Sequence, residues 1–98
     1  MITKFGMLYA GNVDMDMEDI GLGATPVNER WLTDEHLASV FPKTQAMAIS
    51  MDRLGYDTFW TAEHHFQREG YECLPILLML YVHLAHLTKS IKFGCGFN

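Results

Sequence analysis

An α/β fold built on a parallel sheet is what this sequence predicts, on three observations. Short apolar runs near the start, the middle and the end of the chain alternate with longer stretches of helical period. Glycine and proline punctuate the segments between them, and a cluster of ionisable residues follows directly on the second apolar run. Strands alternating with helices imply βαβ units, with the helices laid over the sheet. At 98 residues, 49% hydrophobic and 12% aromatic, the chain can pack a core and lacks the low-hydrophobicity signature of disorder.

The first strand is expected over about residues 3–10, where Phe5, Met7, Leu8, Tyr9 and Ala10 form an apolar run closed by Gly11. Residues 12–30 show no helical or strand period. They carry the acidic run Asp14 to Asp19 and then Gly21, Gly23 and Pro26, so they read as a long solvated loop, with a substrate lid as the functional alternative. A helical stretch over about 34–54 starts where Thr33 or Asp34 can cap it, with a break near Pro42, and either one kinked helix or two consecutive helices fit. Met47, Ser50 or Met51, and Leu54 recur on it at helical spacing, and Gly55 stands where a C-terminal glycine belongs.

The aromatic and β-branched segment 56–62 predicts the second strand. A helix over about 75–88 follows, with Leu77, Leu80, Leu84 and Leu87 on one stripe, and a third strand is expected over about 91–96. Loops are short after the helices and longer after the first two strands. In sheets of this kind ligands bind at the carboxyl ends of the strands. Glu63, His64 and His65 fall at that end of the second strand.

Composition excludes several functions. The 12 acidic and 7 basic residues give a net charge of -5, and the basic residues are dispersed, so no nucleic-acid-binding face is expected. Leu74 to Leu87 is free of Asp, Glu, Lys and Arg but is only ~14 residues long where a membrane span needs ~20, so it reads as a buried helix. Met1 to Gly6 has no signal-peptide pattern, and Cys73 and Cys95 lack metal-ligand spacing. A cytoplasmic protein with free thiols is the simpler expectation, a disulfide between the two the other.

Read from the residues alone, the Glu63-His64-His65 cluster suits proton transfer, since histidine exchanges protons near neutrality. If the strand persists to His65, Glu63 and His65 point one way and His64 the other. One histidine would then be reactive and its neighbour packed or hydrogen-bonded. A metal centre is the rival chemistry, because two histidines and a carboxylate are ligands for zinc or non-haem iron. Adjacent histidines on a strand diverge, however, and no further ligand group stands at a suitable spacing, so no metal is expected. His83 and His86, three apart on the apolar helix, share a face and read more simply as hydrogen-bonded residues at the core margin.

Three segments together, KFGMLYAG (4–11), DRLGYDTFWTAEHHF (52–66) and LAHLTKSIKFGCG (84–96), resemble the luciferase-like flavin-dependent monooxygenases, with WTAEHHF the specific part. The resemblance implies a TIM (β/α)8 barrel of about 250 residues, of which this chain would be a single partial domain, residues 1–98, forming the N-terminal βαβαβ portion of an incomplete barrel. It implies an enzyme that uses reduced FMN and oxygen to oxygenate a small organic substrate, with a flavin reductase as partner. His64 would be the catalytic base; Glu63 and His65 would orient it or contact the flavin, and Gly96 and Asn98 would contact the flavin.

Gly94 and Gly96 would let the flavin approach the backbone or simply let strand and helix pack, and Tyr9 and Ala10 would line the pocket floor or fill the core. The chain has no glycine-rich phosphate loop, so little FMN affinity is expected of these residues alone. A deazaflavin-dependent oxidoreductase is the close variant. A catalytically silent fragment that self-associates through its exposed sheet, or completes another chain's barrel, is the alternative of a different class.

Overall fold

The computed structural model describes residues 1–14, 32–65 and 72–96. The acidic run beyond Asp14, the rest of the long loop and Asn98 lie outside the described residues. In chain order the elements are β1 (Gly6–Tyr9), α1 (Asp34–Ala38), α2 (Val40–Leu54), β2 (Thr58–Thr61), α3 (Leu77–Leu87) and β3 (Lys92–Cys95). The three strands pair in parallel in the order β1-β2-β3 and form an open sheet.

Parallel register sets which residues share a face. Met7, Phe59 and Phe93 form one row across the sheet, and Tyr9, Thr61 and Cys95 form another on the same side. These rows meet the helices: Tyr9 and Phe59 belong to one buried cluster with Val40, Ala48 and Met51 of α2 and Leu77, Leu80, Tyr81 and Leu84 of α3. Tyr9 stacks on Phe59 at 6.4 Å between ring centroids, and Tyr81 on Phe93 at 5.2 Å.

The opposite face carries Leu8, Trp60 and Gly94 in one row, with Leu8 and Trp60 exposed. There the indole of Trp60 lies flat over its strand neighbour. A Cβ on Gly94 would stand 2.3 Å from Trp60 Cε3, and one on Gly6 would stand 3.3 Å from Nε1. The ring thus reaches toward both flanking strands at Gly94 and Gly6, the positions that carry no side chain.

Two helices, rather than one, fill the first connection, and the break falls at Ser39 rather than near Pro42. The Ser39 hydroxyl donates to His36 O at the end of α1, and Pro42 sits inside the first turn of α2, where a missing N–H forfeits no helical hydrogen bond. Thr33 is the α1 cap: its hydroxyl accepts the His36 N–H at 3.1 Å. Gly55 closes α2 in the left-handed conformation (φ 84°).

The buried faces of α2 and α3 differ in detail from the sequence stripes. On α2 the buried residues are Val40, Thr44, Ala48 and Met51, while Leu54 is exposed. Tyr81 takes the fourth buried place on α3, where the leucine stripe predicts Leu87. His83 and His86 lie exposed on α3, and Tyr81 is held on the buried face by its hydroxyl, which donates to Gly94 O at 2.7 Å and bonds to Thr61 Oγ1. A carbonyl only accepts, so the phenol proton goes to Gly94 and the threonine hydroxyl donates to the phenol. These linked bonds tie α3 to β2 and β3.

At the amino ends of the strands, Asp52 of α2 accepts the backbone N–H groups of Lys89, Ser90 and Ile91, each at 2.9 Å. These bonds hold the aspartate's pKa below its ordinary value and fasten the α3–β3 turn to α2. Beside it, Asp57 accepts from the Thr58 hydroxyl at 2.7 Å and lies 3.4 Å from Lys92 Nζ.

Candidate active site at the carboxyl ends of the strands

β2 ends at Thr61, so strand alternation no longer governs the residues after it. Ala62 is buried, Glu63 and His64 are half-buried, and His65 is exposed. The strap Glu72-Cys73-Leu74 runs between the first two strand-end loops. Cys73 N–H donates to Gly11 O at 2.8 Å on one side, and His64 N–H donates to Leu74 O at 2.9 Å on the other. Leu74 is fully buried against Gly11, where a Cβ would stand 2.6 Å from Leu74 Cγ, and Gly11 also has a φ of 88°. Glycine is therefore required at that position by both space and conformation.

The two histidines face different carboxylates. His64 Nδ1 lies 3.2 Å from Glu72 Oε2, whereas His65 Nε2 lies 3.7 Å from Glu63 Oε2. Glu63 also reaches the next helix, where its Oε1 accepts the N–H of Leu77, the first residue of α3, at 2.7 Å. Ile76 at the N-cap makes no side-chain cap bond, so a carboxylate from the end of β2 caps the positive end of the helix instead. Ile76 itself adopts φ 51°, ψ 62°, a left-handed conformation that a β-branched side chain disfavours. Strain of this kind persists only where neighbours impose it. Here the Leu74 and Leu77 bonds do so.

A second polar group lies at the end of β1. The Tyr9 hydroxyl donates to Asn12 O at 2.6 Å, Lys43 Nζ stands 5.6 Å over its ring, and Lys43 pairs with Asp14. Burial and the nearby Asp14 push the Tyr9 pKa up to about 12, so Tyr9 is a neutral core residue with its polar tip satisfied. Gly96 follows β3, exposed, with its N–H bonded to Thr61 O at 2.6 Å.

Among the sequence-predicted residues, Glu63, His64 and His65 come together at one strand end, and Gly96 is tied to the end of the same strand. Sequence reasoning misses Glu72, which is separated from the motif along the chain and returns to it through the strap. It misses Glu63 as a helix cap for the same reason. His83 Nε2 meets Gln45 Oε1 at 2.8 Å on the outer helical surface. Among the described residues no group of three His, Cys, Asp or Glu side chains is arranged to hold a metal ion. Cys73 and Cys95 are not joined by a disulfide, and no helix among these residues is long and apolar enough to cross a membrane.

Helices lie over one face of a parallel sheet, with an ionisable cluster at the strands' carboxyl ends, which is where α/β sheets bind their ligands. The luciferase-like monooxygenase family model matches residues 19–97, and the chain belongs to that family. It is 39% identical over 57 residues to the uncharacterized protein y4vJ of Sinorhizobium fredii, covering 58% of this chain and 16% of that protein. It is 33% identical over 75 residues to the uncharacterized protein YwcH of Bacillus subtilis, covering 76% of this chain and 21% of that protein. The chain therefore spans about a fifth or less of the length of these curated relatives. No solved structure matches it significantly.

Proposed function

We propose that this chain supplies the β1–β3 sector of a flavin-dependent monooxygenase barrel, with His64 as its catalytic base. The observation that carries the reading is the placement of His64, half-buried at the carboxyl end of β2 with its Nδ1 beside Glu72, in a chain of the luciferase-like family. The exposed face bearing Leu8 and Trp60 would be the inner wall of the closed barrel, where an apolar surface suits a flavin ring and keeps water from it.

Bound reduced FMN would supply the electrons that activate oxygen for transfer to a small organic substrate. The chain's own residues do the rest. His64 accepts or returns a proton as general base, and His65 and Gly96 offer polar and backbone contacts to the ring, with Asn98 beyond the described residues completing this group. Glu63 acts by fixing the start of α3 beside them. A flavin reductase and a cytoplasmic setting belong to the same proposal, and only the isolated chain, with this face uncovered, would self-associate through its exposed sheet.

The test joins this chain to the remaining segment of the Bacillus subtilis relative and titrates the assembled barrel anaerobically with reduced FMN, then admits oxygen. Binding, with flavin reoxidation altered by the protein and restored to the free rate in His64→Asn, supports the reading. An assembled barrel that leaves FMN unbound, or that binds only a reduced deazaflavin, overturns it.

A further inference from the structure

The contact between His64 and Glu72 has a directional consequence. Histidine's two ring nitrogens diverge, and when one keeps its proton for a carboxylate the other is left with a lone pair. His64 Nδ1 is the nitrogen at Glu72, 3.2 Å from Oε2, the outer edge of hydrogen-bonding distance. We propose that Glu72 is the positioning residue for His64, fixing the proton on Nδ1 so that Nε2, on the far side of the ring, is the base.

Three features built into the fold hold Glu72 in place. The strap that carries it is bonded on both sides, through Cys73 to Gly11 and through Leu74 to the backbone of His64 itself. Leu74 is locked against Gly11, which has no side chain to keep it away. Beyond the strap, the chain passes through the left-handed Ile76 into α3, whose first N–H is held by Glu63. The neighbouring carboxylate is thereby occupied at the helix, with its second oxygen facing His65 at 3.7 Å. Each histidine thus has its own carboxylate, and only the one at His64 comes within hydrogen-bonding range.

This inference rests on the reading of His64 as the base, and its test is chosen to be separable from that reading. Long-range proton–nitrogen correlation NMR of the 98-residue chain, recorded at about pH 9, above the ordinary histidine range, identifies which nitrogen of neutral His64 bears the proton. The expected result is a majority Nδ1–H form in the native chain, retained in Glu72→Asp and inverted to majority Nε2–H in Glu72→Gln. A majority Nε2–H form in the native chain overturns the proposal without recourse to any variant, as does a Glu72→Gln spectrum in which His64 is unchanged.

In the assembled barrel, Glu72→Gln is expected to lower kcat and leave KM for reduced FMN unaltered. An Nδ1–H tautomer in a barrel that ignores flavin would sink the functional reading and leave the positioning standing. Flavin turnover that needs His64 but is indifferent to Glu72→Gln would sink the positioning alone.

Discussion

The two ends of the sheet use the same residue types for opposite purposes. At the amino end, the Asp52 carboxylate is engaged by three consecutive backbone N–H groups, and Asp57 is held by Thr58 and Lys92. At the carboxyl end, Glu72 meets a histidine at a half-buried surface, and Glu63 divides its oxygens between a helix terminus and a second histidine. Among the described residues, the only non-glycine with positive φ is Ile76, and it too lies at the carboxyl end. Carboxylates fully engaged by amides are fasteners; carboxylates facing histidines can bias proton transfer. Strain collects where the chain must deliver the second kind.

The sharpest break in this contrast comes from exchanging a residue at each end. His64→Asn is expected to lower the oxidation rate of the assembled barrel about 10²- to 10⁴-fold, the usual worth of a general base, and to leave the thermal melt unchanged. Asp52→Ala removes an acceptor from three amides at once, so the melting temperature should fall clearly while the rate per folded molecule holds.

Acid adds a sign test to the same pair. Because the Asp52 pKa is lowered in the folded chain, its contribution is present above the ordinary aspartate value of 3.8 and is lost as pH falls below it through the folded value. Native chain and Asp52→Ala should therefore converge in stability in that acid range, as thermal melts followed by circular dichroism would show.

Smaller effects probe what joins the two ends. Gly94→Ala drives a methyl group into the Trp60 ring and should destabilise the chain by about 1–3 kcal/mol, with partial rescue in Trp60→Ala; chemical denaturation measures both. Alkali should weaken the fold as well. The stability tied to neutral Tyr9 is complete below its ordinary pKa of 10.0 and lost as pH rises through its folded value of about 12; burial raises Tyr81 as well, so a spectrophotometric titration should show these two tyrosines ionising late. The least effect is a gain: Ile76→Asn, which tolerates the left-handed conformation, should stabilise by about 1 kcal/mol.

Much of the carboxyl end was legible in the residues themselves. The aromatic strand TFWT running into Glu63-His64-His65 placed an ionisable cluster at a strand's end, and Gly55 marked the end of α2 by its chemistry. What stayed hidden depends on contacts between segments distant in sequence. Glu72 reaches His64 only through a strap pinned to Gly11, and Glu63 becomes a helix cap only because Leu77 returns to it across 14 residues.

The face of α3 was legible in its leucine spacing, since Leu77, Leu80 and Leu84 of the stripe are buried. Its edge was not: Leu87 is exposed, and Tyr81 takes the fourth buried place through a hydroxyl bond to Gly94 that spacing does not encode. The break at Ser39 turns on a hydroxyl-to-carbonyl bond that proline's reputation as a helix breaker obscures.

The most direct test of the division between the two ends is the rate of reduced-FMN reoxidation in the assembled barrel, compared for His64→Asn and Asp52→Ala at a temperature where both are folded. Loss of the protein-dependent rate in His64→Asn, with the rate of Asp52→Ala held at the native level, is the predicted result. A native rate in His64→Asn would contradict it.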